Sequence, residues 1–116
     1  MTVYRLTEQG AFAKDFGLKD QIRRAAVSVM SNIAEGFESQ AQAQFVRYLG
    51  HAKASAGEVR SQLYIALDVK YLDKEHFDQV FDLADKAVRQ IARFVSYLES
   101  HPESRRVSEE RTEYHV

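Results

Sequence analysis

The sequence predicts an all-α protein: an antiparallel up-and-down four-helix bundle with a short first helix and three long ones. Three observations predict it. Apolar residues recur at steps of three and four along most of the chain, no stretch alternates as a strand would, and one proline and five glycines leave long segments uninterrupted. The 116 residues suffice for one hydrophobic core and not for two. Residues 1–100 read as the helical bundle domain and residues 101–116 as a polar C-terminal tail.

The first segment, "TVYRLTEQGAFAKDF", holds Val3, Leu6, Phe12 and Phe16 around Gly10, which predicts a short helical piece, a break and an apolar anchor. The first long helix is expected over residues 18–35, with Ile22, Ala25, Ala26, Val29 and Ile33 on one face. Gly36 then stands where helices end on a left-handed residue. Ser39 followed by Gln42 fits a capping box for the next helix. That helix, over about residues 40–69, carries Phe45, Leu49, Ala52, Ala56, Val59, Leu63 and Ala66 as a bundle seam. Asp73 is the expected N-cap of the last helix, whose wide apolar face of Phe77, Val80, Phe81, Ala84, Ala87, Val88, Ile91, Val95 and Leu98 runs to about Ser100, ahead of Pro102. The tail "ESRRVSEERTEYHV" mixes both charge signs with little apolar content and reads as solvated.

Composition narrows the function classes. The absence of cysteine excludes a disulfide framework, a thiolate nucleophile and cysteine-ligated metal, and fits a reducing compartment. No apolar run approaches the roughly 20 residues that cross a bilayer, and the N-terminal order is not that of a signal peptide, so a cytoplasmic location is expected. A formal charge of −1 and a pI near 6.4 give no global attraction to a polyanion, so nucleic-acid binding would need a local basic patch.

No metal, cofactor or catalytic site is read from the residues. The four histidines, His51, His76, His101 and His115, include no pair at ligand spacing, and no Glu-x-x-His motif occurs. Asp73 and His76 are suitably spaced, but a cap accounts for Asp73. Gly50 and Gly57 lie in a helix without the lysine context of a phosphate loop. With Lys53 and Arg60 they form one lateral face, read either as a close crossing within the chain or as a contact with another subunit. Lys19, Arg23 and Arg24 form one cationic cluster and Lys86, Arg89 and Arg93 another, each either a solvated face or a phosphate contact. Arg24, Ser28, Asn32 and Glu35 run as a polar line beside the apolar stripe. Facing Glu58 and Gln62, this line would form a network that fixes helix register, with Arg24 or a neighbouring chain compensating Glu35 at its unfavourable helix end. A catalytic carboxylate pair of Glu35 and Glu58 is the weaker reading.

These residues carry a resemblance. "GLKDQIRRAAVSVMSNIAEGF" and "FVRYLGHAKASAGEVRSQLYIA" resemble the 23S rRNA intervening sequence protein family, also called the S23 ribosomal protein family. Gln21, Arg23, Arg24, Ala25, Ser28, Asn32, Ile33, Ala34, Glu35 and Gly36 match its first signature, and Ala52, Ser55, Glu58, Gln62 and Leu63 its second, within a likeness covering about residues 3–100. The resemblance implies a cytosolic four-helix bundle, a homopentamer, and a molecular function that is largely unassigned. A related branch, the accessory variability determinant of diversity-generating retroelements, is a basic pentamer that binds nucleic acid and a reverse transcriptase.

The chain departs from the pattern by lacking that basic surface and by starting near "VYRLT", where family members have a full first helix. Either the first helix is short or the start site is placed late. The expected function is therefore a non-enzymatic, homo-oligomeric scaffold or adaptor with a protein partner, and the alternative is RNA or DNA binding. Lys19, Arg23, Arg24, Lys53 and Arg60 are the candidate contacts, and Ser28, Asn32, Glu35, Gly36, Glu58 and Gln62 the structural polar and signature set.

Overall fold

The computed structural model describes residues 2–101. Five helices follow one another: α1 (Thr2–Thr7), α2 (Gly10–Lys14), α3 (Phe16–Glu38), α4 (Gln42–Asp68) and α5 (Lys74–Ser100), and no strand occurs among the described residues. The three long helices lie side by side in an elongated body of 55 × 26 × 16 Å, with α4 in the middle. They alternate in direction. The Phe37 ring at the end of α3 meets Phe45 at the start of α4, Tyr64 near the end of α4 meets Phe77 at the start of α5, and Gln42 Nε2 donates to the Leu98 carbonyl at 2.6 Å. Except for His101, the expected tail lies outside the described residues.

The α4 seam is buried as its spacing predicts: Phe45, Leu49, Ala52, Ala56, Val59, Leu63 and Ala66 are all core residues. Alanine at three of these positions lets α3 and α5 approach α4 closely, while the larger side chains join two clusters. One surrounds Ile22, Leu63 and Phe77; the other contains Phe45, Leu49, Ile91 and Leu98. The expected short first helix is present as two pieces broken at Gly10, whose φ of +56° is one that side chains rarely adopt. Val3 and Phe12 seal the lower cluster. Thr7 is bonded to Arg23 while Thr2 lines the same hollow as Val29 and Met30, so α1 runs antiparallel to α3.

Caps and turns explain where the helices end. Asp15 accepts the Leu18 N–H at 3.0 Å and so starts α3 two residues earlier than expected, leaving Phe16 exposed rather than anchored. Asp73 caps α5 as predicted, taking the His76 N–H at 2.8 Å. After α4, Lys70 adopts φ 63°, and the N–H groups of Lys70 and Tyr71 return to Leu67 and Ala66, the paired bonds of a Schellman closure.

Three expectations are corrected. Gly36 does not stop its helix, which continues to Glu38. It is buried, and a Cβ there would stand 2.9 Å from Phe45 Cδ1, so its role is to let α4's first large ring seat against α3. Ser39 is not the N-cap of α4; its hydroxyl donates to the Gly36 carbonyl at 2.6 Å and closes α3, while Ala41 precedes α4 without a side-chain cap. The face of Gly50, Lys53, Gly57 and Arg60 is not a close crossing. A Cβ at Gly50 meets nothing within 4 Å, and one at Gly57 meets only Arg60 of its own helix.

Gly36→Ala should lower stability by about 1–2 kcal/mol, because overpacking against a fixed ring outweighs the helix propensity gained. Gly50→Ala should raise it by up to about 1 kcal/mol. Denaturant unfolding of both variants checks the pair.

The Asp15 carboxyl is held below its ordinary value by the Leu18 N–H and then by the Tyr71 hydroxyl at 2.8 Å, and Asp73 is lowered by the His76 N–H and then its ring. Lowered folded-state values stabilise the protein above the unfolded carboxylate value of 3.8, and that stability is lost as pH falls through the folded values. Asp15→Asn and Asp73→Asn should each flatten the fall in melting temperature measured from about pH 5 downward.

Candidate functional site

The polar line on α3 meets α4 through hydroxyls. Ser28 Oγ lies 2.8 Å from Ser55 Oγ, either being able to donate, and Asn32 Nδ2 donates to the Ser28 carbonyl and hydroxyl at 2.8 and 3.0 Å. Ser55 is buried and Ser28 half-buried, so this exchange satisfies groups that packing removes from water and sets the register of the two helices. The expected network of Ser28 and Asn32 with Glu58 and Gln62 is thus replaced by a Ser28–Ser55 contact. Ser55 was visible in the second signature, but nothing in its residue type shows that it faces Ser28.

Below this contact the two helices part around a hollow of about 400 Å³ lined by Gln21, Arg24, Ser28, Ser55, Glu58 and Gln62. All six of these positions belong to the two sequence signatures, Gln21 opening the first. Arg24 does not compensate Glu35: its Nε is bound to Asp20 at 2.9 Å, and Glu35 lies eleven residues along the helix, roughly 16 Å away. Nor do Glu35 and Glu58 form a carboxylate pair. With α3 and α4 antiparallel and Ser28 opposite Ser55, they diverge from that contact by seven and three residues, roughly 15 Å along the axis.

The cationic candidates are largely committed within the chain. Arg23 donates to Thr7 Oγ1 at 2.8 Å and the Tyr4 carbonyl at 3.4 Å, lies over the Tyr4 ring and approaches Glu8, so it fastens α1 to α3. Lys19 stands over the Phe16 ring at 5.1 Å. Arg60 bonds Asp85 at 3.2 Å, the carboxylate that also receives Arg89, and Lys86 lies 4.0 Å from Asp82. Lys53 is exposed. Asp73 and His76 are joined as a cap, with the ring at 2.7 Å, and no group of three potential metal ligands gathers among the described residues.

The sequence profile of the 23S rRNA-intervening sequence protein family matches residues 1–93, spanning both signatures and all five helices up to the last part of α5. The chain belongs to that family. A crystal structure of a protein of unknown function from the S23 ribosomal protein family of Bacteroides thetaiotaomicron has the same fold, with a TM-score of 0.74 at 22% identity over 80% of this chain and 84% of that one. No functionally curated protein is significantly similar. In this member of the family, no described helix is long and apolar enough to cross a membrane.

Arg23→Met keeps the apolar stem but removes the bonds to Thr7 and Tyr4. Hydrogen exchange should then show lost protection across residues 2–14, with α3 to α5 little changed. Equal loss throughout would mean that α1 is integral to the core.

Proposed function

We propose that the chain is a non-enzymatic, cytoplasmic, homo-oligomeric scaffold or adaptor, pentameric as the family resemblance implies. The observation that carries this reading is an uncovered apolar slot. Because α3 and α5 each pack on α4 and hardly meet, a hollow of about 200 Å³ remains between them, lined by Ala26, Val29 and Met30, by Ala56 and Val59, and by Val80, Leu83 and Ala84. Thr2 and Val3 of α1 close only its lower end. The rims are wet: Met30 is 64% and Leu83 53% exposed. Covering such surface is worth about 25 cal/mol per Å², and a second copy laid on it would complete four-helix packing around α4.

The alternative of RNA or DNA binding has less support, since Arg23 and Arg60 are bonded to groups of the chain itself, the Asp20 carboxylate sits beside Arg24, and acidic Asp78, Asp82 and Asp85 lie beside the α5 cations. The separation of Glu35 from Glu58 removes the carboxylate pair on which a reaction could be built.

Sedimentation velocity at low and high salt, with and without a short RNA, tests the proposal. The wild type should sediment as a salt-resistant oligomer without bound RNA, and Leu83→Asp should shift it toward monomer. RNA bound at low salt and released at high salt would favour the alternative; a wild-type monomer at every concentration would overturn the scaffold.

A further inference from the structure

The hollow between α3 and α4 holds charged groups of opposite sign that do not meet. On the α4 wall, Glu58 is exposed and makes no ion pair among the described residues. One turn on, Gln62 has its Oε1 buried without a hydrogen-bond partner among the described residues. On the α3 wall, the Arg24 side chain is 80% exposed and is held at Nε by Asp20. Outside the hollow, Val27, one turn from Arg24 on α3, and Ile65, two turns beyond Glu58 on α4, are 43% and 51% exposed.

We propose that this hollow is a contact between two copies of the chain, in which Arg24 of one copy pairs with Glu58 of the next. The inference rests on the oligomeric reading and names its charged contact. Charge complementarity selects the occupant. A polyanion approaching Arg24 would meet Asp20 beside it and Glu58 across the hollow, and a neutral ligand would leave both charges unanswered. In a closed ring one neighbouring copy brings the partner for the α3 wall and the neighbour on the other side brings that for the α4 wall. The guanidinium suits the task, because a planar fork bound to Asp20 through one edge still has donors on the other. Those donors can serve Glu58 and a Gln62 amide turned toward them. Burial between two copies makes such a pair stronger than an exposed surface bridge.

The test is charge reversal and swap, read by sedimentation velocity over a concentration series, with circular dichroism and thermal unfolding to show that each variant folds. Arg24→Glu and Glu58→Arg should each raise the concentration needed for assembly by at least about tenfold, and the double variant should recover most of the loss. Where a reversal prevents folding, Arg24→Gln and Glu58→Gln are read in its place and should weaken assembly in the same direction. If the wild type assembles and folded single variants assemble equally well, or the swap recovers nothing, the contact is wrong while the oligomer stands. If the wild type remains monomeric, both fall. RNA binding lost in Arg24→Glu and strengthened in Glu58→Arg would replace the second copy by a nucleic acid.

Discussion

One buried seam on α4 has to hold two helices that scarcely hold each other. Phe45, Leu49, Ala52, Ala56, Val59, Leu63 and Ala66 lie between α3 and α5, and the contacts of those outer helices run mainly to α4. The remaining features depend on this arrangement. Gly36 has no side chain so that Phe45 can seat at the top, Arg23 fastens α1 over the lower core, and Asp15 and Tyr71 join the start of α3 to the turn after α4. A layer with one central helix leaves its faces open. The apolar slot lies on one side of α3 and the polar hollow on the other.

Much of the fold was legible because it depends on periodicity. The α4 seam repeats every three and four residues without exception, and the structure buries every position of it. Asp73 announced itself because a short acidic side chain before an amphipathic run has one usual task. Gly36 and Ser39 misled for the opposite reason. Each has a common local meaning, helix stop or helix start, and each has another task here: Gly36 makes room for a ring of the next helix, and Ser39 closes the helix before it. The reason for Gly36 is the Phe45 ring, nine positions on, and only packing reveals it. The start of α3 was missed because Asp15 precedes Phe16, an apolar residue that looks like core and is in fact exposed.

The candidate site was legible as residues and not as geometry. The signature picked out Arg24, Ser28, Glu58 and Gln62, which the structure brings around one hollow, and it also included Glu35, which stands well away from it. Helix phase could not distinguish Glu58 from Ser55 as the neighbour of Ser28, since both occupy the same side of α4. Cations are hardest to read from sequence. Arg23 and Arg24 are adjacent, yet one is a structural tie and the other an exposed arm, and only the position of α1 separates them.

The chain has a complete seam and an apolar slot open to water, and the proposed oligomer is what would cover that slot. The most direct measurement of that claim is the molecular mass from small-angle X-ray forward scattering across a dilution series. The account predicts a mass that is a fixed multiple of 13.3 kDa and persists on dilution. A mass of 13.3 kDa throughout would contradict it, because the slot would then be stable facing water.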